Sequence, residues 1–313
     1  MQLKLLNVAL AAGIWLLCQT GAIAEGTSVA GSEKPAASVP PDSASMARRV
    51  DELLEQAWAA DYVTTAPLTS DGEFLRRVIG EGAKVDAAFL DPPYNVRIKG
   101  NANPKGRHRE FAMASGEMSE ANFRLFLTDA LGAAAGCSRD GAIHFVCMDW
   151  RHMDCVSTVG PAVYGELLNL CVWNKSNAGM GSLYRSKHEL IFVYRVGMAP
   201  HLNMVELGKH GRNRTNVWDH VSVSSIRGSR REDLNLHPTV KPVGLVAEAI
   251  KDVTRHGDLV MDLFLGSGTT LLAAERTGRR FRGLEIDPGY VDVAIERWSA
   301  RTGLEPRLEG QTA

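Results

Sequence analysis

A chain of 313 residues, 45% hydrophobic and 23% charged, has the composition of an ordinary soluble globular protein and can bury one large core with room for a small appendage. A formal net charge of −1 excludes a globally basic binder of nucleic acid, so any contact with phosphates must rest on local clusters. The five cysteines, at 18, 137, 147, 155 and 171, form no Cys-x-x-Cys pair and no metal spacing. Several lie in apolar surroundings and read as buried thiols of a reducing compartment, and no metal is expected.

Residues 1–24 run against that compartment. Lys4, the apolar run 5–18 and the small-residue ending Ala22-Ile23-Ala24 have the three parts of a secretory signal peptide, and the run is short for a membrane span. A second reading starts translation at Met46 and makes the first 45 residues an upstream extension. Residues 25–45, rich in Ser, Pro, Ala and Gly, read as a flexible linker either way. An amphipathic helix is expected over 46–60, and another helical stretch, 71–79, leads through Gly80 and Gly82 into an apolar run from Val85.

That run stops at Asp91-Pro92-Pro93-Tyr94. It reads as a buried strand whose carboxyl end opens into a loop, the usual ligand position in open α/β sheets. Prolines fix their own φ and donate nothing, so the turn offers rigid carbonyl acceptors beside one carboxylate and one aromatic face. Such a set suits a flat group bearing an NH2. Taken alone, the tetrapeptide also fits an ordinary Asp-Pro turn or a polyproline recognition segment.

The polar stretch 96–120 follows, with Arg97, Lys99, Lys105, Arg107 and Arg109 ahead of its first acid, a bias that favours contact with phosphates. A helix is expected at about 119–135. Next comes a second apolar run, 142–148, ending at Asp149. Two more strands are expected at 167–173 and 189–196, close enough to form an antiparallel hairpin at one sheet edge. Residues 197–236 read as polar and irregular, a second basic cluster with Lys209, Arg212, Arg214, Arg227, Arg230 and Arg231 around Trp218. It is equally consistent with a solvated surface excursion.

Residues 258–287 give a strand through Asp262 and Phe264, a Gly266-Ser267-Gly268 turn, a helix from Thr269 to Thr277 closed by Gly278, and a second strand ending near Glu285 and Asp287. Strand, glycine turn, helix, strand and acid is a layout for a nucleoside-bearing cofactor. The third glycine of a dinucleotide site is replaced by Leu271, and the Gly-Lys-Ser/Thr of a P-loop is absent.

Asp91-Pro92-Pro93-Tyr94, then His237-Pro238-Thr239-Val240-Lys241-Pro242, then Asp262 through Thr270, then Gly283-Leu284-Glu285-Ile286-Asp287 together resemble the β-class amino-methyltransferases of DNA, in which the catalytic motif precedes the cofactor motif. The resemblance covers roughly residues 66–300, and the stretch 109–119 is similar to bacterial methylases of this family that often carry a ParB-like N-terminal domain, of which none is visible. Relatives place a Gly-Asp pair about twenty residues before the catalytic Asp, where this chain has Ser70-Asp71.

The resemblance implies an α/β, doubly wound, mostly parallel seven-stranded sheet with permuted motif order. It divides the chain into the leader and linker 1–45, a methyltransferase domain 46–300 with a target-recognition insertion at about 197–236, and a tail 301–313. It implies S-adenosyl-L-methionine as cofactor and double-stranded DNA as partner, with a flipped base. Tyr94 would stack on that base while Asp91 and the Pro92 carbonyl accept hydrogen bonds from its amine. Asp262, Phe264, Gly266, Gly268 and Thr269 would line the cofactor, Glu285 would hold its ribose, and Lys241 with Thr239 would sit near its carboxylate. DNA contacts are expected from Arg97, Lys99, Lys105, Arg107, Lys209, Arg212, Arg214 and Arg230. The first-position Asp favours adenine N6, with cytosine N4 or a catalytically inert DNA-binding relative as alternatives. Set against the leader, these motifs place the protein in the cytoplasm.

Overall fold

The computed structural model describes residues 4–5, 71–80, 82–96, 114–179, 183–209, 213–222 and 240–308. The chain divides into two compact units, and the elements below belong to the one formed by Ser70–Arg307 with the first four residues. The leader, the linker and the expected helix at 46–60 lie outside the described residues, apart from residues 4–5.

Helix α1 (Asp71–Ile79) leads into strand β1 (Val85–Leu90). Helix α2 (Glu120–Gly136) begins where the Ser119 hydroxyl accepts from the Asn122 amide, and it leads into β2 (Ser138–Met148). Helix α3 (Met153–Val163) is followed by β3 (Glu166–Lys175) and β4 (His188–Arg195), which form the expected antiparallel hairpin. Strand β5 (Val217–His220) and helix α4 (Val243–Val253) precede β6 (Leu259–Asp262), α5 (Thr269–Thr277), β7 (Arg280–Gly283) and α6 (Pro288–Thr302).

The seven strands run in the order β5-β3-β4-β2-β1-β6-β7, and only β4 opposes its neighbours. The expected seven-stranded, mostly parallel α/β sheet is therefore present. Two corrections concern its edge. The hairpin does not form it, because β5 pairs in parallel outside β3. Residues 197–236 are also not wholly irregular, since they supply that strand, whose single buried side chain is Trp218.

Period-2 alternation assigns side chains to the two faces. Ala88, Leu90, Val146, Met148 and Phe192 pack with α1, α2 and α3, whereas Ala87, Phe89, Phe145, Ile191 and Val260 pack with α4, α5 and α6. From Ala87 to Leu90 strand β1 is apolar on both sides because it is covered on both sides. Outward from β1 the sheet runs β2, β4, β3 and β5, and after β5 the chain returns to β1's free side as β6. The reversal lies between β1 and β6, so the crevice beyond their carboxyl ends is the ligand position of a doubly wound sheet. Asp91 follows one of these strands and Asp262 ends the other.

Candidate active site

At the end of β1 the prolines stop the ladder, and four side chains converge on the turn. The Tyr94 hydroxyl donates to Asp91 Oδ1 at 2.6 Å. Lys241, one residue before the Pro242 cap of α4, donates to Asp91 Oδ2 at 2.7 Å and to the Tyr94 hydroxyl at 3.0 Å. The same ammonium lies 2.8 Å from Glu189 Oε2, at the start of β4. The other Glu189 oxygen is paired with Lys175, the last residue of β3. Lys175, Glu189, Lys241 and Asp91 therefore alternate in sign across three strands and one loop, and their formal charges cancel.

This cancellation makes the burial tolerable. Burial alone would push Glu189 up, but the Lys241 and Lys175 ammonium groups override it and hold the carboxyl down to about 2. Burial would lower Lys241, yet Asp91 and Glu189 keep it above the usual lysine value. Burial, then the charges of Asp91 and Glu189, push the Tyr94 hydroxyl well up, so it stays protonated as a donor. The Lys241 side chain is 5% exposed and that of Asp91 22%. The carboxylate, not the ammonium, is what an incoming group can reach.

The turn after β6 is fixed from within. Asp262 accepts from the Phe264 amide at 2.9 Å and from the Thr270 hydroxyl at 2.6 Å, which ties the strand end to the first turn of α5. Burial pushes its carboxyl up to about 7, and the Thr270 and Phe264 hydrogen bonds oppose that rise only in part. Gly268 caps α5 at φ +85°, where a Cβ would stand 2.8 Å from the Ala294 Cβ of α6. Glu285 accepts from the amides of Gly266 at 2.7 Å and Asp287 at 3.0 Å, one on each oxygen. Burial raises it, although those amides favour its charged form. The Thr269 hydroxyl reaches the Lys241 carbonyl at 3.4 Å, which joins this turn to the Lys241 segment.

The structure thus brings Asp91, Tyr94, Lys241, Asp262, Gly266, Gly268, Thr269 and Glu285 to the two loops at the switch point. The ammonium of Lys241, a residue expected near the cofactor carboxylate, lies on Asp91 and Glu189. Thr239, Arg97, Lys99, Lys105, Arg107, Arg212 and Arg230 lie outside the described residues. Lys209 is exposed and 3.8 Å from Glu206. Arg214 does not present a free guanidinium for phosphate. It is ion-paired to Glu248 and Asp252 of α4 and stacked 4.6 Å over Trp218.

Sequence reasoning missed Glu189 and Lys175. Their only signal was an acid at the mouth of a largely apolar strand, close to a lysine that ends its hairpin partner. It missed Asn95 as well. This residue adopts φ +52°, donates to the Met118 carbonyl at 2.9 Å and accepts from the Gly116 amide at 3.0 Å, anchoring residues 116–118 to the turn after β1.

Sheet order, the glycine turn after β6 and the acid after β7 define the class as a doubly wound α/β protein with the layout of a nucleoside site. Similar solved structures share this architecture. A putative DNA modification methylase of Thermus thermophilus, bound to S-adenosyl-L-methionine, aligns at TM-score 0.54 and 20% identity over 79% of this chain and 98% of that one. The PvuII cytosine-N4-specific DNA methyltransferase aligns at TM-score 0.54 and 15% identity, over 74% and 82%.

The sequence model described as DNA methylase, the N6/N4 methyltransferase family, matches residues 85–296, from the first strand to the last helix. The chain belongs to that family, the DNA amino-methyltransferases, which draw on S-adenosyl-L-methionine. The type II methyltransferase M2.MboI of Moraxella bovis is 24% identical over 226 residues, 68% of this chain and 80% of that protein. The type II methyltransferase M.ScaI of Streptomyces caespitosus is 37% identical over 92 residues, only 29% of this chain and 30% of that one.

Proposed function

We propose that this protein transfers a methyl group from S-adenosyl-L-methionine to adenine N6 of a base turned out of double-stranded DNA, in the cytoplasm. The observation that carries the reading is the Asp91 carboxylate, held by Tyr94 and Lys241 at the carboxyl end of β1, beside the glycine turn that follows β6. The turn's donor set fits the cofactor. Each Glu285 oxygen spends one lone pair on a backbone amide, and a carboxylate has about four acceptor positions, so ribose hydroxyls still find partners. Gly268 lets the turn pack directly against Ala294 of α6, and the Phe264 ring, 6.1 Å from that of Phe126, supplies an apolar wall. The cofactor supplies an electrophilic sulfonium methyl.

The chain's own residues do the remainder. An exocyclic amine is a poor nucleophile because its lone pair is delocalised into the ring. Asp91, accepting from one N–H with the Pro92 carbonyl accepting from the other, draws that nitrogen toward tetrahedral geometry and aims the lone pair at the methyl. The Tyr94 ring stacks on the base, and its hydroxyl together with Lys241 fixes the carboxylate's orientation. Positioning of this kind is worth several powers of ten in rate.

The test is methyl incorporation from labelled S-adenosyl-L-methionine into unmethylated bacterial genomic DNA, by the full chain and by a form beginning at Met46, with the modified nucleoside identified by mass spectrometry. N6-methyladenine is expected. N4-methylcytosine would keep the mechanism and overturn the base, and no incorporation by either form would overturn the activity.

A further inference from the structure

The hairpin between β3 and β4 is rooted in the catalytic cluster. Lys175 ends β3 and ion-pairs with Glu189, the second residue of β4, whose other oxygen is 3.2 Å from the Tyr94 hydroxyl. The connection between the two strands starts after Lys175, three ion pairs from Asp91 by way of Glu189 and Lys241, and finishes beside Glu189, two ion pairs from it; its described residues, 176–179 and 183–187, lie at the sheet edge where β1 and β6 end. The backbone of these described residues is framed. The Gly179 amide donates to the Ser186 carbonyl at 2.7 Å, and the Arg185 guanidinium bonds the carbonyls of Gly179 at 3.0 Å and Ala178 at 2.7 Å.

What this frame holds out is Leu183, 82% exposed, and Tyr184, 84% exposed. Burying so much apolar surface needs a partner. From Lys175 to His188 the sequence has three cations, Lys175, Arg185 and Lys187, and no acid. Arg185 is bonded to neutral carbonyls that leave its charge standing. An aromatic and an aliphatic tip on a wholly basic loop at the rim of a site that takes a base from a duplex has the chemistry of a wedge. The basic flank meets phosphates, and the apolar tip enters the stack.

We infer that Leu183 and Tyr184 insert into the DNA duplex at the target position and fill the gap left when the base turns into the pocket beside Asp91. The inference rests on the proposed DNA-methylating function. An orphaned gap exposes two base faces and an unpaired partner. Stacking the Tyr184 ring there offsets part of the cost of extrusion, which is least for a base that is already unpaired.

The experiment maps the target from DNA methylated by the wild-type protein. It then measures kcat/KM on an oligonucleotide duplex with the target paired, and on the same duplex with an abasic site opposite the target. For the Leu183→Ala/Tyr184→Ala protein, a loss of about tenfold or more is expected on the paired duplex but only about threefold or less on the abasic one, since extrusion there needs little help. Tyr184→Phe keeps the ring and behaves as wild type, and the thermal shift produced by S-adenosyl-L-methionine is unchanged in both variants. Equal activity on the paired duplex, or equal losses on both duplexes as expected of a protein-docking surface, would overturn the wedge alone. A wild-type protein that methylates no DNA would overturn the underlying function, and the wedge with it.

Discussion

Asp91 has one oxygen on a neutral donor, Tyr94, and the other on a cation, Lys241, so losing each contact has a different consequence. Asp91→Ala removes the acceptor for the amine. Transfer should fall by roughly a hundredfold or more, in line with the cost of mispositioned reactants, while calorimetric titration shows cofactor still binding. Full activity in that variant would sink the proposed mechanism. Lys241→Met instead leaves Asp91 and Glu189 facing one another with no cation between them. Breaking a buried pair in this way costs about 3–5 kcal/mol, to be read as a lower urea midpoint in the absence of cofactor. Gly268→Val places a branched side chain at φ +85° and against Ala294, so cofactor affinity should fall by about tenfold or more, a loss of some 1.4 kcal/mol.

Helix α3 is seated against β4 by the absence of one side chain. A Cβ on Gly160 would lie 2.2 Å from the Tyr194 hydroxyl, and that ring cannot withdraw. It stacks on Tyr164 at 4.6 Å, and its hydroxyl donates to the Val156 carbonyl at 3.2 Å. Gly160→Ala gains up to about 1 kcal/mol of helix propensity but overpacks a closed core at about 1–3 kcal/mol. The clash is with a fixed ring, so net destabilisation is expected, visible as a lower Tm, and a higher Tm would show that the interface yields. Elements of this size were legible where burial on both faces writes an apolar run, as in residues 87–90 of β1, or where a glycine marks an end, as Gly278 does after α5. Strand β5 was not, because an edge strand of four residues with one buried side chain leaves no periodicity to read. Nor was the Lys241 ion pair, whose carboxylates are supplied by β1 and β4, far away in the chain and brought together only by the strand order.

At the scale of the whole molecule, the loops after β1 and β6 meet because the sheet has its switch point there and both strands end beside it. Two buried groups then give its stability opposing dependences on pH. His144, held by Ser138 at 2.8 Å and Tyr164 at 3.1 Å, is lowered by burial from 6.5 to about 3. Between those values the unfolded chain binds a proton that the folded one does not, so this group's contribution to stability falls as pH falls. Asp262 is raised by burial from 3.8 to about 7, so between those values the folded chain holds the extra proton, and its contribution falls as pH rises. Across the shared window, about pH 4 to 6.5, the two slopes oppose one another. Urea unfolding at several pH values without cofactor should show it. The stability of Asp262→Asn relative to wild type should rise from pH 4 to 6.5, and that of His144→Gln relative to wild type should fall over the same range. Parallel pH profiles for wild type and both variants would mean that neither group titrates differently in the folded and unfolded chains.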